Sequence, residues 1–355
     1  MIFLLIPAAY QLFAIAACLF RRRSQEPGAS PGRTQTTRSQ NVSILKPVSG
    51  AGGNLRAALA SHSGLDAELL CGVSSIDDPA VPVIREFPNV RLIVCSTVTP
   101  NAKVGLLIDL VKQARHDTII VNDSDISVGP DYLRVIAPLA DPRNGLVTCL
   151  YRAAGDTFAA RFEALGVATD FVPSALVARL AGVDEFAMGS TLAFRRADLE
   201  KIGGFESLSD YLADDYQLGH RLHSLGLKCV LSDLIVETHL GGNWRDVWQH
   251  QVRWARTIRV SKFWGYLGLP VTFATFWALI CGDWRAGLAL LSVRLTMALV
   301  AGKMDAVRLF FLIPARDLFG VAVWLVALFG NTVVWRGRKL RLDREGRILS
   351  GWREL

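Results

Sequence analysis

The chain has 355 residues, 51% of them hydrophobic, and a formal net charge of +7. A mean hydropathy of +0.30 excludes an ordinary soluble globule and a charged fraction of 20% excludes a pure membrane bundle, so apolar helices joined to a polar folded domain are expected. The six cysteines are scattered without paired spacing, which excludes a zinc ribbon or a disulfide framework and reads as small buried hydrophobes in a reducing compartment.

Residues 1–20 are apolar apart from Tyr10 and Gln11. About twenty helical residues span ~30 Å, so a transmembrane helix is expected here. Arg21, Arg22 and Arg23 come after that run instead of preceding it, the reverse of a secretory signal, and by the positive-inside rule they place the next segment of the chain in the cytoplasm. Residues 21–40, rich in Ser, Thr, Gln, Gly and Pro, read as a basic flexible linker. From 41 to 240, short apolar runs at 42–45, 69–73, 90–95, 118–121 and 146–150 alternate with helix-like stretches, the pattern of a mostly parallel sheet covered by helices. Such sheets bind ligands at the carboxyl ends of their strands, where Asp77-Asp78 and Asp123-Ser124-Asp125 fall.

Asp123 and Asp125 close an apolar run one residue apart, a spacing that suits a divalent cation on a diphosphate and equally an acidic turn. Asp77-Asp78-Pro79 fits a turn opening a helix, and Asp214-Asp215 fits the first turn of another, where carboxylates are favoured. Residues 241–262 read as interfacial helices with snorkelling arginines and an Arg253-Trp254 pair. Beyond them, residues 263–335 hold apolar runs at 266–281, 286–301 and 307–334, the last interrupted by Pro314, Arg316 and Asp317. Arg294 sits mid-run, and a charge at a bilayer centre costs about 2.5–3.5 kcal/mol on insertion scales, so that segment is either interfacial or buries Arg294 against a partner. Three full crossings would put the basic tail, residues 336–355, on the outside, whereas two crossings and one re-entrant or interfacial segment satisfy the charge rule. Because the arginines gather beside apolar segments, the partner expected for them is an anionic lipid bilayer and not nucleic acid.

Taken in order, Leu45-Lys46-Pro47, Asp77-Asp78-Pro79-Ala80, Asn101-Ala102-Lys103, Asp123-Ser124-Asp125, the run from Gly189 to Arg196, Gly203-Gly204-Phe205, Ala213-Asp214-Asp215-Tyr216, Arg253-Trp254 and Trp335-Arg336-Gly337-Arg338 form a pattern. It resembles the membrane-bound inverting glycosyltransferases, in particular ceramide glucosyltransferases and bacterial hopanoid-lipid glycosyltransferases. The resemblance implies an α/β fold: a glycosyltransferase A-type nucleotide-sugar-binding sheet domain with one N-terminal and two or three C-terminal membrane helices. It further implies a metal-dependent enzyme of the bacterial inner membrane, with its catalytic domain in the cytoplasm. Such an enzyme moves one glucose or N-acetylglucosamine from a UDP-sugar to a hydroxyl of a membrane lipid acceptor, ceramide-like or hopanoid.

Residue by residue, the resemblance implies that Asp123 and Asp125 hold Mg²⁺ or Mn²⁺ on the diphosphate, and that Asp215 is the general base beside Asp214. Lys103 is expected near the nucleotide, Arg253 on the diphosphate and Trp254 beside the acceptor. His250 stands where the family often has Gln or Arg and can still donate to phosphate. The family's first aspartate falls at Ser75, so Asp77 or Asp78 is expected to stand in for it at the nucleotide. Two other readings stay open: a processive polysaccharide synthase, which needs several complete spans, and a catalytically inactive membrane scaffold, which Ser75 favours. The pattern sets no oligomeric state.

Overall fold

The computed structural model describes residues 2–24, 41–52 and 54–349; most of the expected linker and the end of the basic tail lie outside them. In chain order the elements are α1 (Ile2–Ser24), β1 (Val42–Pro47), α2 (Leu55–His62), β2 (Glu68–Val73), α3 (Ala80–Arg85), β3 (Val90–Val94), α4 (Ala102–Gln113), β4 (Thr118–Val121) and β5 (Asn144–Gly155). Next come α5 (Phe158–Gly166), a π-helical turn (Val167–Phe171), α6 (Val172–Leu180), β6 (Leu192–Arg195), α7 (Arg196–Lys201), α8 (Asp214–Ser224) and β7 (Lys228–Leu240). The chain ends in α9 (Trp244–Ser261), α10 (Phe263–Gly268), α11 (Ala274–Ile280), α12 (Trp284–Leu309), α13 (Ile313–Ala327) and a hairpin of β8 (Thr332–Trp335) and β9 (Arg338–Arg341). These elements fall into two compact units, one drawn from Gly32–Arg152 and Asp184–His239, the other from Met1–Pro31, Ala153–Val183 and Leu240–Leu355.

The first unit is built on a seven-stranded sheet in the order β3-β2-β1-β4-β6-β5-β7. β1 runs parallel to β2 and β4, β2 runs parallel to β3, and β6 is antiparallel to β4 and β5. Every residue of β1 is buried because helices cover both faces, so its side chains alternate between two apolar layers. Ile44, Leu69 and Ile120 pack with Leu55 and Leu59 of α2 and Ile84 of α3, while Leu45, Leu70, Ile119 and Val121 pack with Leu107 and Leu110 of α4 and Leu218 of α8. The register sets Leu45 opposite Leu70 and Val121, so the strand ends and the residues just beyond them line one edge. Arg195 and Arg196 spend their guanidinium groups on carbonyls: Leu139 and Asn144 for Arg195, Val111, Ala114 and His116 for Arg196. Each closes a chain end whose C=O groups lack a helical or ladder donor.

The second unit gathers the apolar helices. Leu4–Arg22, Trp284–Gly302 and Phe310–Ala327 are each long and apolar enough to cross a bilayer. The run at 266–281 is not one helix: Phe263–Thr272 and Ala274–Ile280 meet at 64°, as a broken span or a re-entrant loop. Pro270 lies in the 3₁₀ turn just before that bend, where its missing N–H and fixed φ disfavour a continuous α-helix. Arg294 takes the buried alternative. Its guanidinium pairs with Asp317 of α13 at 2.7 Å and Asp170 of the π turn at 2.5 Å, and donates to the Thr169 carbonyl at 3.1 Å. Asp317 also accepts from the backbone and hydroxyl of Thr275 at 3.0 and 2.8 Å, so the charge that interrupts the apolar run of α13 points inward. Arg316 lies 3.4 Å from Asp170, over the rings of Phe162 and Phe319.

Candidate active site

Asn101 begins the assembly of the site. Its side-chain oxygen caps α4 by accepting from the N–H groups of Lys103 and Val104 at 3.1 and 3.4 Å, while its amide nitrogen donates to the Tyr211 carbonyl at 2.7 Å. Ser209 accepts from the Asn101 N–H at 2.9 Å. The start of α4 is thereby tied to the segment that leads into α8, and Lys103 is brought to Asp214. Lys103 Nζ lies 3.0 Å from Asp214 and 2.9 Å from Asp123, so one buried cation joins the end of β4 to the first turn of α8. Burial by itself would lower the Lys103 pKa, but Asp123, Asp214 and Asp215 around it outweigh burial and raise it.

Asp215 is the carboxylate this arrangement perturbs. Burial, then the charge of Asp214, push its pKa up to about 6 against the opposing pull of Lys103. One of its oxygens accepts from the Gly189 N–H at 2.9 Å and the other from the Tyr216 N–H at 2.7 Å. The Gly189 carbonyl in turn accepts from the Asp123 N–H at 3.3 Å, so a single glycine bridges the two aspartates. A Cβ at Gly189 would stand 2.9 Å from Asp123 Oδ2, 3.3 Å from Lys103 Nζ and 3.4 Å from Asp215 Oδ2. Glycine therefore keeps open a small cradle walled by two carboxylates and an ammonium.

The turn bearing Asp123 and Asp125 is held from below by Lys46, the one charged residue of β1. Its fully buried Nζ donates to the carbonyls of Asp123 at 3.0 Å and Ile126 at 3.2 Å, and burial pushes its pKa down to about 8. Asn122 fixes the turn sideways, donating to the Ser190 carbonyl at 2.6 Å and Tyr132 Oη at 2.8 Å, with His62 Nε2 3.2 Å from its oxygen. Sequence reasoning assigned no role to Lys46, Asn122 or His62. For Lys46 and Asn122 the legible signal was a charged or amide side chain in or next to a largely apolar run, since such a group must find partners when buried.

The other expected residues spread over both units. Asp125 accepts from the Thr238 hydroxyl. Asp78 accepts from the N–H groups of Gly50 at 2.9 Å and Ala80 at 2.8 Å, which makes it the clasp of the loop after β1 and the opener of α3. Asp77 is exposed in a turn closed by its N–H on Ser75 Oγ at 3.1 Å. His250, Arg253 and Trp254 belong to the unit of apolar helices, on α9, whose start is fixed by a capping box between Asn243 and Asp246. There His250 Nδ1 lies 2.7 Å from the buried Glu163, and the rings of His250 and Trp254 meet edge to face at 4.4 Å. Thus Asp123, Lys103, Asp214 and Asp215 form one cluster, Asp125 neighbours it along the turn, and Asp78 spends its carboxylate on backbone.

The residues also fit a divalent cation of the kind expected. Among the described residues no three His, Cys, Asp or Glu side chains enclose a metal by themselves. Mg²⁺ and Mn²⁺ do not require that, because they are held by one or two carboxylates and complete their shell with substrate phosphates and water. Asp123, whose side chain is 41% exposed, and Asp125 offer that donor set beside the Gly189 cradle.

A family model described as Glycosyl transferase family 21 matches residues 1–348. The chain belongs to that family. Two curated relatives, ceramide glucosyltransferases 1 and 3 of Caenorhabditis elegans, are 29% identical over 207 residues and 28% over 216, each match covering 54% of this chain and 44% of the relative. The match therefore spans less than half of either relative's length. Among solved structures, the mannosyltransferase PcManGT from Pyrobaculum calidifontis, in complex with GDP-Man and Mn²⁺, aligns with a TM-score of 0.51 at 18% identity, covering 92% of this chain and 99% of its own. That likeness is one of fold: the sheet of this family 21 chain is of the glycosyltransferase A type.

Proposed function

We propose that this family 21 protein is a membrane-bound inverting lipid glycosyltransferase, moving one glucose or N-acetylglucosamine from a UDP-sugar to a hydroxyl of a ceramide-like or hopanoid acceptor. The observation that carries the reading is the cluster at the end of β4, in which the half-buried Asp215 has its pKa pushed up to about 6 beside Asp123, Lys103 and Asp214. Family membership and the ceramide glucosyltransferase relatives support the reaction class. Three helices able to cross a bilayer support a lipid acceptor and an integral membrane protein, which we place in a bacterial inner membrane with its sheet unit in the cytoplasm.

In this mechanism the Asp215 carboxylate takes the proton of the acceptor hydroxyl. The freed oxygen pair bonds to the anomeric carbon from the face opposite the diphosphate, the bond from that carbon to the phosphate oxygen breaks, and UDP leaves with the electron pair. A pKa of about 6 leaves Asp215 ionised at neutral pH yet basic enough to accept the proton. The Gly189 N–H holds one Asp215 oxygen in place, and Lys103 keeps the carboxylates from repelling one another apart. Asp123 and Asp125 would hold Mg²⁺ or Mn²⁺, which when bound neutralises charge on the leaving diphosphate. Arg253 and His250 are assigned to the diphosphate, Trp254 to the acceptor and Asp77 to the nucleotide, while Asp78 shapes the loop.

The experiment is transfer by the purified, detergent-solubilised full chain with Mn²⁺ or Mg²⁺. Radiolabelled UDP-glucose and UDP-N-acetylglucosamine are offered against ceramide, a hopanoid polyol and diacylglycerol, and the lipids are separated by thin-layer chromatography. A single labelled lipid is expected, and a long labelled polymer would mean a processive synthase. No product together with no thermal stabilisation by UDP would leave only the inactive scaffold, because a ligand that binds the folded state must stabilise it.

A further inference from the structure

The two aspartates of the turn after β4 each have one carboxylate oxygen engaged by a donor of the sheet unit itself. Asp123 Oδ1 lies 2.9 Å from the ammonium of Lys103, and Asp125 Oδ2 accepts from the hydroxyl of Thr238. Asp123 Oδ2 borders the cradle at Gly189, 2.9 Å from where a Cβ of that residue would stand. Asp125 is left with Oδ1. The pair therefore offers a cation one oxygen from each carboxylate instead of two.

Thr238 reaches Asp125 because β7 is fastened to the same turn. Glu237 exchanges backbone hydrogen bonds with Ser127, two residues beyond Asp125, at 2.8 and 2.9 Å. Side chains alternate along a strand, so Glu237 points outward, 3.5 Å from Arg152, while Thr238 turns to the buried face it shares with Val236. Val236 packs in the apolar core beneath the sheet. Shape alone would admit a valine at the next place on that face, and it is the hydroxyl that reaches Asp125.

The number of oxygens a carboxylate can offer separates the divalent cations. Ca²⁺ is large, takes roughly six to eight oxygens and accepts both oxygens of one carboxylate, whereas Mg²⁺ is small, holds to octahedral geometry and keeps several waters. Mn²⁺ shares the octahedral oxygen sites of Mg²⁺. We infer that Thr238 is a specificity-determining residue for the cation of this site: by holding Asp125 Oδ2, as Lys103 holds Asp123 Oδ1, it restricts that carboxylate to a single donor oxygen and so favours Mg²⁺ or Mn²⁺ over Ca²⁺. This rests on the reading above that Asp123 and Asp125 hold a divalent cation. The same hydroxyl fixes the orientation of the carboxylate, which is what outer partners do for ligands at metal sites.

The test is cation binding by the full-length, detergent-solubilised protein, with and without UDP. Free Mn²⁺ is read by electron paramagnetic resonance, the Mn²⁺ bound by UDP alone is subtracted, and Mg²⁺ and Ca²⁺ are ranked by how well they displace Mn²⁺ from the protein. Thr238→Val removes the hydroxyl and keeps the shape. It is expected to weaken Mn²⁺ and Mg²⁺ binding about tenfold and to leave Ca²⁺ binding as tight or tighter, so that the preference falls by about that factor. Thr238→Ala removes the same hydroxyl without added bulk and should match it, while Thr238→Ser keeps the hydroxyl and should keep the preference. An equal change for all three cations, no change, or a loss in Thr238→Ser as large as in Thr238→Val would make Thr238 only a tie between β7 and the turn, and would overturn the inference while leaving the cation site in place. If the unmodified chain binds no Mn²⁺ even with UDP present, it is the divalent-cation reading that fails, and the inference falls with it.

Discussion

Lys103 and Arg294 are both buried cations ringed by aspartates, one in the sheet unit and one among the apolar helices, yet their surroundings differ in charge count and in access to water. Lys103 faces three carboxylates, Asp123, Asp214 and Asp215, and the Asp123 side chain is 41% exposed. Arg294 pairs with Asp317 and Asp170, while Arg316 faces the same Asp170, two charges against two, and the side chains of Arg294 and Asp317 are 0% and 1% exposed. A balanced, sealed set of charges has little left to do except hold its helices in one arrangement. An unbalanced set with one open wall keeps surplus negative charge for a cation or a proton, which is where perturbed carboxylates acquire chemistry.

The largest effect that separates the two clusters is expected at Asp215. Asp215→Asn removes the proton acceptor and should lower transfer by about 10³-fold, within the range of positioned general bases, while UDP binding measured by calorimetry stays within a few-fold. Wild-type turnover by that variant would remove Asp215 from the chemistry. Arg294→Met is expected to act on the other axis. It leaves Asp317 buried without its countercharge, and breaking such a pair costs on the order of 3–5 kcal/mol, read as a lowered Tm in detergent. Replacing Arg294 and Asp317 together by apolar residues should recover most of that loss, since a well-packed apolar pair often serves as well as a buried ion pair.

Two glycines sharpen the contrast. A Cβ at Gly189 would press on Asp123, Lys103 and Asp215, all at 2.9 Å or more, so Gly189→Ala is expected to fold and to lose transfer by about tenfold through displaced side chains. A Cβ at Gly166 would sit 2.0 Å from Arg316 Nε, a position that cannot be shared, so Gly166→Ala should destabilise the protein by the about 1–3 kcal/mol typical of overpacking, read as a lowered Tm. The comparison fails if Gly189→Ala loses stability and Gly166→Ala does not.

How much of the molecule is legible in the sequence depends on the range of each signal. The alternation of apolar runs announced the parallel strands β1 to β4, because strands of a sheet covered by helices are largely apolar. It did not announce that Ala153–Val183 belongs to the unit of apolar helices, since that segment is apolar at helical spacing like any core helix and only packing decides its neighbours. Asp123 and Asp215 stood out as carboxylates at a strand end and a helix start. Their joining through Lys103 and Gly189 is tertiary, and no local pattern encodes it. Arg294 was conspicuous as a charge in an apolar run, but its partners lie in other segments, 124 and 23 residues away.

The smallest expected effect is also the most diagnostic, because its sign reverses between two neighbours. Asp215 must be ionised to accept a proton, so kcat/KM should rise with pH through about 6 and then level off. Asp214 raises that pKa as a like charge and Lys103 lowers it as an opposite one, burial being the larger cause that neither variant removes. Asp214→Asn should therefore move the acid limb of the profile to lower pH, and Lys103→Met should move it to higher pH, each by about one pH unit, as expected for charges a few ångströms away. Apart from any common loss of rate, opposite displacements can arise only if the titrating group feels both charges, as Asp215 does. Displacements of the same sign, or a limb that neither change moves, would assign the titration to some other group and leave the cluster a scaffold for the turn at Asp123.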